Sequence, residues 1–143
     1  MTDDDFDIRD FLPYLLNQAA EECGLAFQKV YKSRYGMLRT EWRVVFHLGR
    51  YGEMTANEIC QRSRMHKTKI SRAVSALEAK RFLTRQMVEA DRRHELLSLT
   101  PAGRAAFSDL CKQARDHDAR LLATFDETER RVLKRTLLRL ANS

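Results

Sequence analysis

The chain has 143 residues, 43% of them hydrophobic and 32% charged, with only five glycines and two prolines. That length suits one domain, and that balance excludes a disordered or fibrous chain in favour of a helix-rich globular one, of a size that often completes its core by pairing with a second copy. The net charge of +6 is uneven, since residues 62–93 hold ten bases against three acids while residues 1–22 hold seven acids against one base; a local basic block points to a polyanionic partner, with a solvated basic face as the plainer alternative on charge alone.

In chain order, the first element is a helix over residues 8–31. Phe11, Leu15, Ala19, Leu25 and Phe27 recur at helical spacing, and Leu12, Tyr14 and Leu16 widen the apolar face beyond what one neighbouring helix needs. That width suggests packing against a second subunit. A second helix opens at Arg39-Thr40-Glu41, carries Trp42, Val45, Phe46 and Leu48, and ends near Gly52, a C-cap candidate. Thr55 followed by Glu58 is a capping box, so a short third helix starts there, turns Ile59 and Cys60 inward and ends by Ser63. The fourth helix spans residues 66–80. Ile70, Ala73, Val74 and Leu77 fall at i, i+3, i+4 and i+7 and define one buried face. The other face carries Lys67, Thr68, Lys69, Arg72 and Ser75, with no acid before Glu78. An ordinary solvent face mixes charges through i,i+4 pairs, and this one does not.

Two short β-prone runs, residues 82–88 and 95–99, flank the charged turn Asp91-Arg92-Arg93 and read as a hairpin. Thr100-Pro101 then opens a long helix, with Thr as N-cap and Pro at the first helical position. Its apolar stripe is Phe107, Leu110, Cys111, Ala114, Leu121 and Phe125. Asp126 with Glu129 caps a last helix bearing Val132, Leu133, Leu137 and Leu140. The fold class is mainly α with a small β-hairpin wing.

This order implies DNA reading. A short capped helix, a brief turn and a second helix with one apolar and one basic face form a helix-turn-helix. The second helix of such a pair enters the major groove by its N-terminal end, where His66, Lys67, Thr68, Lys69 and Arg72 lie. The hairpin tip can place an arginine in the adjacent minor groove, whose potential is negative. Asp91 either fixes the wing by accepting hydrogen bonds from its amides or from Arg93, or serves as an Asx turn residue.

The stretch of residues 38–110 resembles the MarR family of regulators. The matching segments are LRTEWRVVFHL, TANEICQRSRMHKTKISRAVSALEAKRFLTR, DRRHELLSLT and PAGRAAF, and the Asp-Arg-Arg wing running into Leu-Ser-Leu-Thr-Pro-x-Gly is the most specific of them. The resemblance implies one chain of 1–143, with a winged helix-turn-helix over residues 38–100 and dimerisation helices over residues 8–35 and 101–143. It implies a homodimer on a pseudo-palindromic operator of double-stranded DNA, usually as a repressor that lets go when a small ligand or oxidant arrives. Carried over by position, Thr68, Lys69 and Arg72 read, Arg93 is the minor-groove finger and Arg92 meets phosphate. Where the family usually has Gly after the recognition helix, this chain has Arg81; the expectation is that the helix ends in a way that avoids a left-handed residue there, with a phosphate contact as an added role.

The resemblance also implies an effector cleft lined from the first, second and fifth helices, for which Tyr31, Trp42, Arg43 and His47 are the candidates. An aromatic wall with a cation suits an aromatic acid or its thioester, while Trp42 as core and Arg43 as surface cation is the competing reading. A redox mechanism is disfavoured: Cys23 lies beside Glu21 and Glu22, which oppose a thiolate, and Cys60 and Cys111 sit on apolar faces, so buried, unreactive cysteines are expected. No cofactor or metal is expected. His47, His66, His94 and His117 are scattered, and Asp116-His117-Asp118 reads as a solvated helix face. No phosphate-cradling glycine loop or nucleophile elbow suggests an enzyme. A winged-helix interaction module that had lost DNA binding would show acids or bulky apolar groups on the reading face, and this face has neither. The acidic N-terminus lacks the pattern of a signal peptide, and no apolar run approaches the roughly 20 residues of a membrane span, so a cytoplasmic protein is expected.

Overall fold

The computed structural model describes residues 5–87 and 95–142. Asp7 caps a turn of 3-10 helix at Ile8–Asp10, its carboxylate accepting from the Arg9 amide at 3.0 Å. The first long helix, α1, is Leu12–Tyr35. It starts later than the apolar pattern predicts, because Asp7 N-caps a separate 3-10 turn and Phe11, extended at φ −79° and ψ 121°, divides that turn from α1. It also runs four residues further, to the first residue able to stop it. Gly36 adopts a left-handed conformation (φ 65°) and donates its amide to the Lys32 carbonyl at 2.8 Å.

Helix α2, Arg39–Tyr51, ends on Gly52, whose φ of 88° favours glycine. Helix α3, Ala56–Ser63, carries the expected capping box, with the Thr55 hydroxyl accepting from the Glu58 amide at 3.2 Å. Helix α4 is Lys67–Ala79, and its N-cap is His66, whose Nδ1 accepts from the Thr68 amide at 3.2 Å. Strands β1 (Leu83–Met87) and β2 (Glu95–Leu99) pair antiparallel, with Leu83 opposite Leu99 and Met87 opposite Glu95. Met54 adds a bridge to Leu97, so the hairpin is anchored to the segment before α3. Helix α5, Pro101–Leu122, starts on the Thr100 hydroxyl, and α6, Glu127–Ala141, starts on an Asp126–Glu129 capping box.

One expectation about the backbone fails. Arg81 is left-handed, with φ 65°. The cause is tertiary. The Thr100 hydroxyl donates to the Arg81 carbonyl at 2.8 Å, and the Thr100 amide donates to the Phe82 carbonyl at 3.0 Å. Gly103 lets α5 come close: a Cβ there would lie 2.0 Å from the Phe82 carbonyl oxygen. The turn is therefore clamped from α5, and the arginine bears the backbone strain.

The core gathers Val44, Val45 and Leu48 from α2, Ile59 from α3, Ile70, Ala73, Val74 and Leu77 from α4, Leu83 and Leu97 from the hairpin, and Ala106 and Leu110 from α5. From α1 only Tyr31 is buried, and no residue of α6 is. Leu121 and Phe125, placed on the α5 stripe by spacing, are exposed. The cysteines also correct the sequence reading. Cys23 is exposed, and Cys60 and Cys111 are half-buried, with burial pushing the Cys111 thiol pKa up. No described helix is long and apolar enough to cross a membrane.

Candidate nucleic-acid interface

Helix α4 is pinned on one side and bare on the other. Its four buried residues seat it against α2 and α3. His66, Lys67, Thr68, Lys69, Ser71, Arg72 and Ser75 are exposed. Lys67, Lys69 and Arg72 form no ion pair among the described residues, so three full cations face outward beside hydroxyls. Residues of this kind offer both phosphate neutralisation and hydrogen bonds to base edges. His66 has a second role that the sequence reading did not give it, since its ring caps the helix whose end it occupies.

Arg85 belongs to the site in a way charge counting missed. Its guanidinium bonds Glu78 at 3.2 Å, Glu95 at 3.2 Å and the Ser75 hydroxyl at 3.1 Å. It locks the base of the hairpin to α4, and its charge is balanced within the protein. Beside it, Thr55, Asn57, Lys67 and Ser71 line a hollow of about 200 Å³ between α3, α4 and the hairpin. Another basic residue, Arg62, lies over the Tyr51 ring at 4.4 Å from its centroid. Asp91, Arg92 and Arg93, the expected wing tip, lie outside the described residues.

The four residues expected at an effector cleft divide. Tyr31, Trp42 and Arg43 come together around a cavity of about 230 Å³, with Ala20, Gly24, Phe27 and Arg39 completing the wall. Tyr31 is buried and stacks edge-on against Phe27, which also meets Trp42. His47 does not line this space; its Nδ1 sits 2.7 Å from the Arg43 carbonyl. The cavity is built from α1 and α2 alone. A second, wider hollow of about 530 Å³ lies on the other side of Trp42, between α2 and α5, where Phe46, Phe107 and Cys111 meet Arg50 and Arg115. The sequence signal for Arg39 was its i,i+4 spacing to Arg43. His117, read as part of a solvated face, is half-buried, stacks on Phe27 and places Nε2 2.7 Å from the Cys23 carbonyl, tying α5 to α1.

The MarR family profile matches residues 35–94, from the last residue of α1 to just before β2. A MarR family transcriptional regulator from Silicibacter pomeroyi DSS-3 is 30% identical over 96% of this chain and 99% of its own, with a TM-score of 0.78. The chain belongs to the MarR family. It is a winged helix-turn-helix protein and a DNA-binding transcriptional regulator. A MarR/EmrR family regulator from Acinetobacter sp. ADP1 is 25% identical and covers 96% of each chain, with a TM-score of 0.83. BpsR of Bordetella bronchiseptica, whose DNA binding is regulated by 6-hydroxynicotinic acid, shares the fold at a TM-score of 0.86 and 19% identity, over 96% of this chain and 98% of its own.

Proposed function

We propose that this MarR regulator is a homodimeric repressor that grips a pseudo-palindromic operator and releases it on binding a small aromatic acid or its thioester. The reading rests on the exposed face of α4, which carries no acid from Lys67 to Ser75. Lys67, Thr68, Lys69 and Arg72 enter the major groove, with His66 setting the helix end beside them. Arg93 probes the minor groove, Arg92 meets phosphate, and Asp91 holds the tip.

Dimerisation is supported by apolar side chains left in solvent at both ends of the chain. Phe6, Ile8, Phe11, Leu12 and Leu15 precede or begin α1, and Val132, Leu133, Leu137, Leu138 and Leu140 lie on α6, all more than a third exposed. Contiguous apolar surface of this kind marks an interface. For the effector, the cavity beside Trp42 offers an aromatic wall with Arg39 and Arg43, a set suited to a flat anion. The Bordetella relative, controlled by a hydroxylated pyridine carboxylate, supports that chemistry.

Selection from a random duplex pool tests the reading. The expected result is enrichment of a two-fold symmetric site with half-sites about one DNA turn apart. Enrichment of no sequence would sink it.

A further inference from the structure

Glu41 is the charged residue buried in the described core, with 2% of its surface exposed. Its carboxylate meets Lys80 Nζ at 2.5 Å, and the same ammonium donates to the Gly36 carbonyl at 2.6 Å. Each of these three residues marks a helix end. Gly36 stops α1, Glu41 lies in the first turn of α2, and Lys80 caps the C-terminus of α4. One ammonium therefore fastens the far end of the reading helix to the α1–α2 turn. Two residues on, Phe82 sets its ring edge-on against Tyr35, with centroids 6.0 Å apart. Tyr35 in turn donates its hydroxyl to Asp109 of α5 at 2.5 Å.

Glu41 is buried at one end of this pair while Lys80 keeps 34% of its side chain in solvent. Such a pair adds little net stability, because desolvation of the carboxylate offsets much of the attraction, but moving the ammonium away leaves a buried charge unpaired. The favourable end-charge of Lys80 at the α4 C-terminus needs no carboxylate partner. Neither benefit explains a carboxylate sunk in the core at this spot. A fixed angle between α4 and the α1–α2 turn does. The same turn lies between Tyr31 and Arg39, two walls of the cavity beside Trp42.

We propose that the Glu41–Lys80–Gly36 clamp is a positioning device for DNA reading: it sets the angle of α4 against the α1–α2 turn. The proposal rests on the DNA-reading part of the function above and not on the identity of any effector.

The test compares two duplexes, one selected from a random pool by the unaltered protein and one scrambled duplex of the same composition. Glu41→Gln keeps the Lys80 charge, so non-specific phosphate attraction is retained. The expected result is a loss of about tenfold on the selected duplex, within the usual range for a coupled contact, with the scrambled duplex little changed. The double variant Glu41→Met with Lys80→Met replaces the pair by apolar chains of similar length, a change that folds well in other proteins. It is expected to melt at or above the unaltered protein yet discriminate no better than Glu41→Gln. Discrimination equal to the unaltered protein in that well-folded double variant overturns the clamp. Equal losses on both duplexes overturn it as well, since they report folded fraction rather than helix angle. An unaltered protein that enriches no duplex instead removes the DNA reading itself.

Discussion

Helices α4 and α6 are of similar length, 13 and 15 residues, and both are amphipathic, yet the fold treats them oppositely. The apolar side of α4 is fully inside, and its polar side is a bare row of cations. Every residue of α6 is exposed, the apolar side included, with Leu138 at 63%. One chain thus completes the reading module, while its last helix keeps an unspent hydrophobic face. The difference teaches that pattern shows which face of a helix is apolar, and that packing decides whether that face is covered within the chain.

The largest expected effect breaks the α6 side of this contrast. Leu133→Lys with Leu137→Lys should yield monomers in sedimentation, since each buried leucine contributes roughly 1.5–3 kcal/mol and a two-fold interface counts it twice. A dimer that survives both changes would place the interface elsewhere. On the α4 side, Arg72→Ala should cost about 1–3 kcal/mol in operator affinity and relax preference at one base position, leaving the dimer intact. Fluorescence anisotropy with the selected duplex and its single-base variants reads both effects, and unchanged binding would remove Arg72 from the reading set.

Smaller effects fall on the turn after α4 and on the end of α1. Arg81→Gly relieves a left-handed arginine and should raise the denaturation midpoint by up to about 1 kcal/mol of stability; a lower midpoint would mean the arginine side chain contributes more than its backbone costs. The smallest is a pH effect at Tyr35. Burial, then the hydrogen bond to Asp109, pushes its phenol from the usual 10 up to about 12. The folded state therefore holds the proton longer than the unfolded one. The stabilisation is full below pH 10 and is lost as pH rises towards 12. Thermal melts across that window should show the loss in the unaltered protein and a shallower one in Tyr35→Phe; identical profiles would detach the effect from this residue.

Local chemistry was legible in the sequence and tertiary chemistry was not. Thr55 with Glu58, Thr100 with Pro101, and Asp126 with Glu129 sit within four residues of each other, and each cap formed as the sequence predicts. The i, i+3, i+4, i+7 face of α4 was equally local. By contrast, Glu41 looks like any acid in a helix's first turn, because its partner Lys80 is 39 residues away. Arg81 is forced left-handed by Thr100 and Gly103, again across a long stretch of chain. Arg85 counted as one more base until its three partners showed it to be a brace. Among the effector candidates, aromatic and cationic character was readable from composition. That the cavity ends one turn short of His47 depends on where α1 packs.

The central claim is that the bare face of α4 grips DNA through phosphates and bases. The most direct test is a titration of operator affinity against salt, for the unaltered protein and for Lys69→Ala. The logarithm of affinity should fall steeply and linearly with the logarithm of salt, and Lys69→Ala should reduce the slope by about one phosphate contact. A flat line for the unaltered protein, or an identical slope for the variant with unchanged affinity, would contradict it.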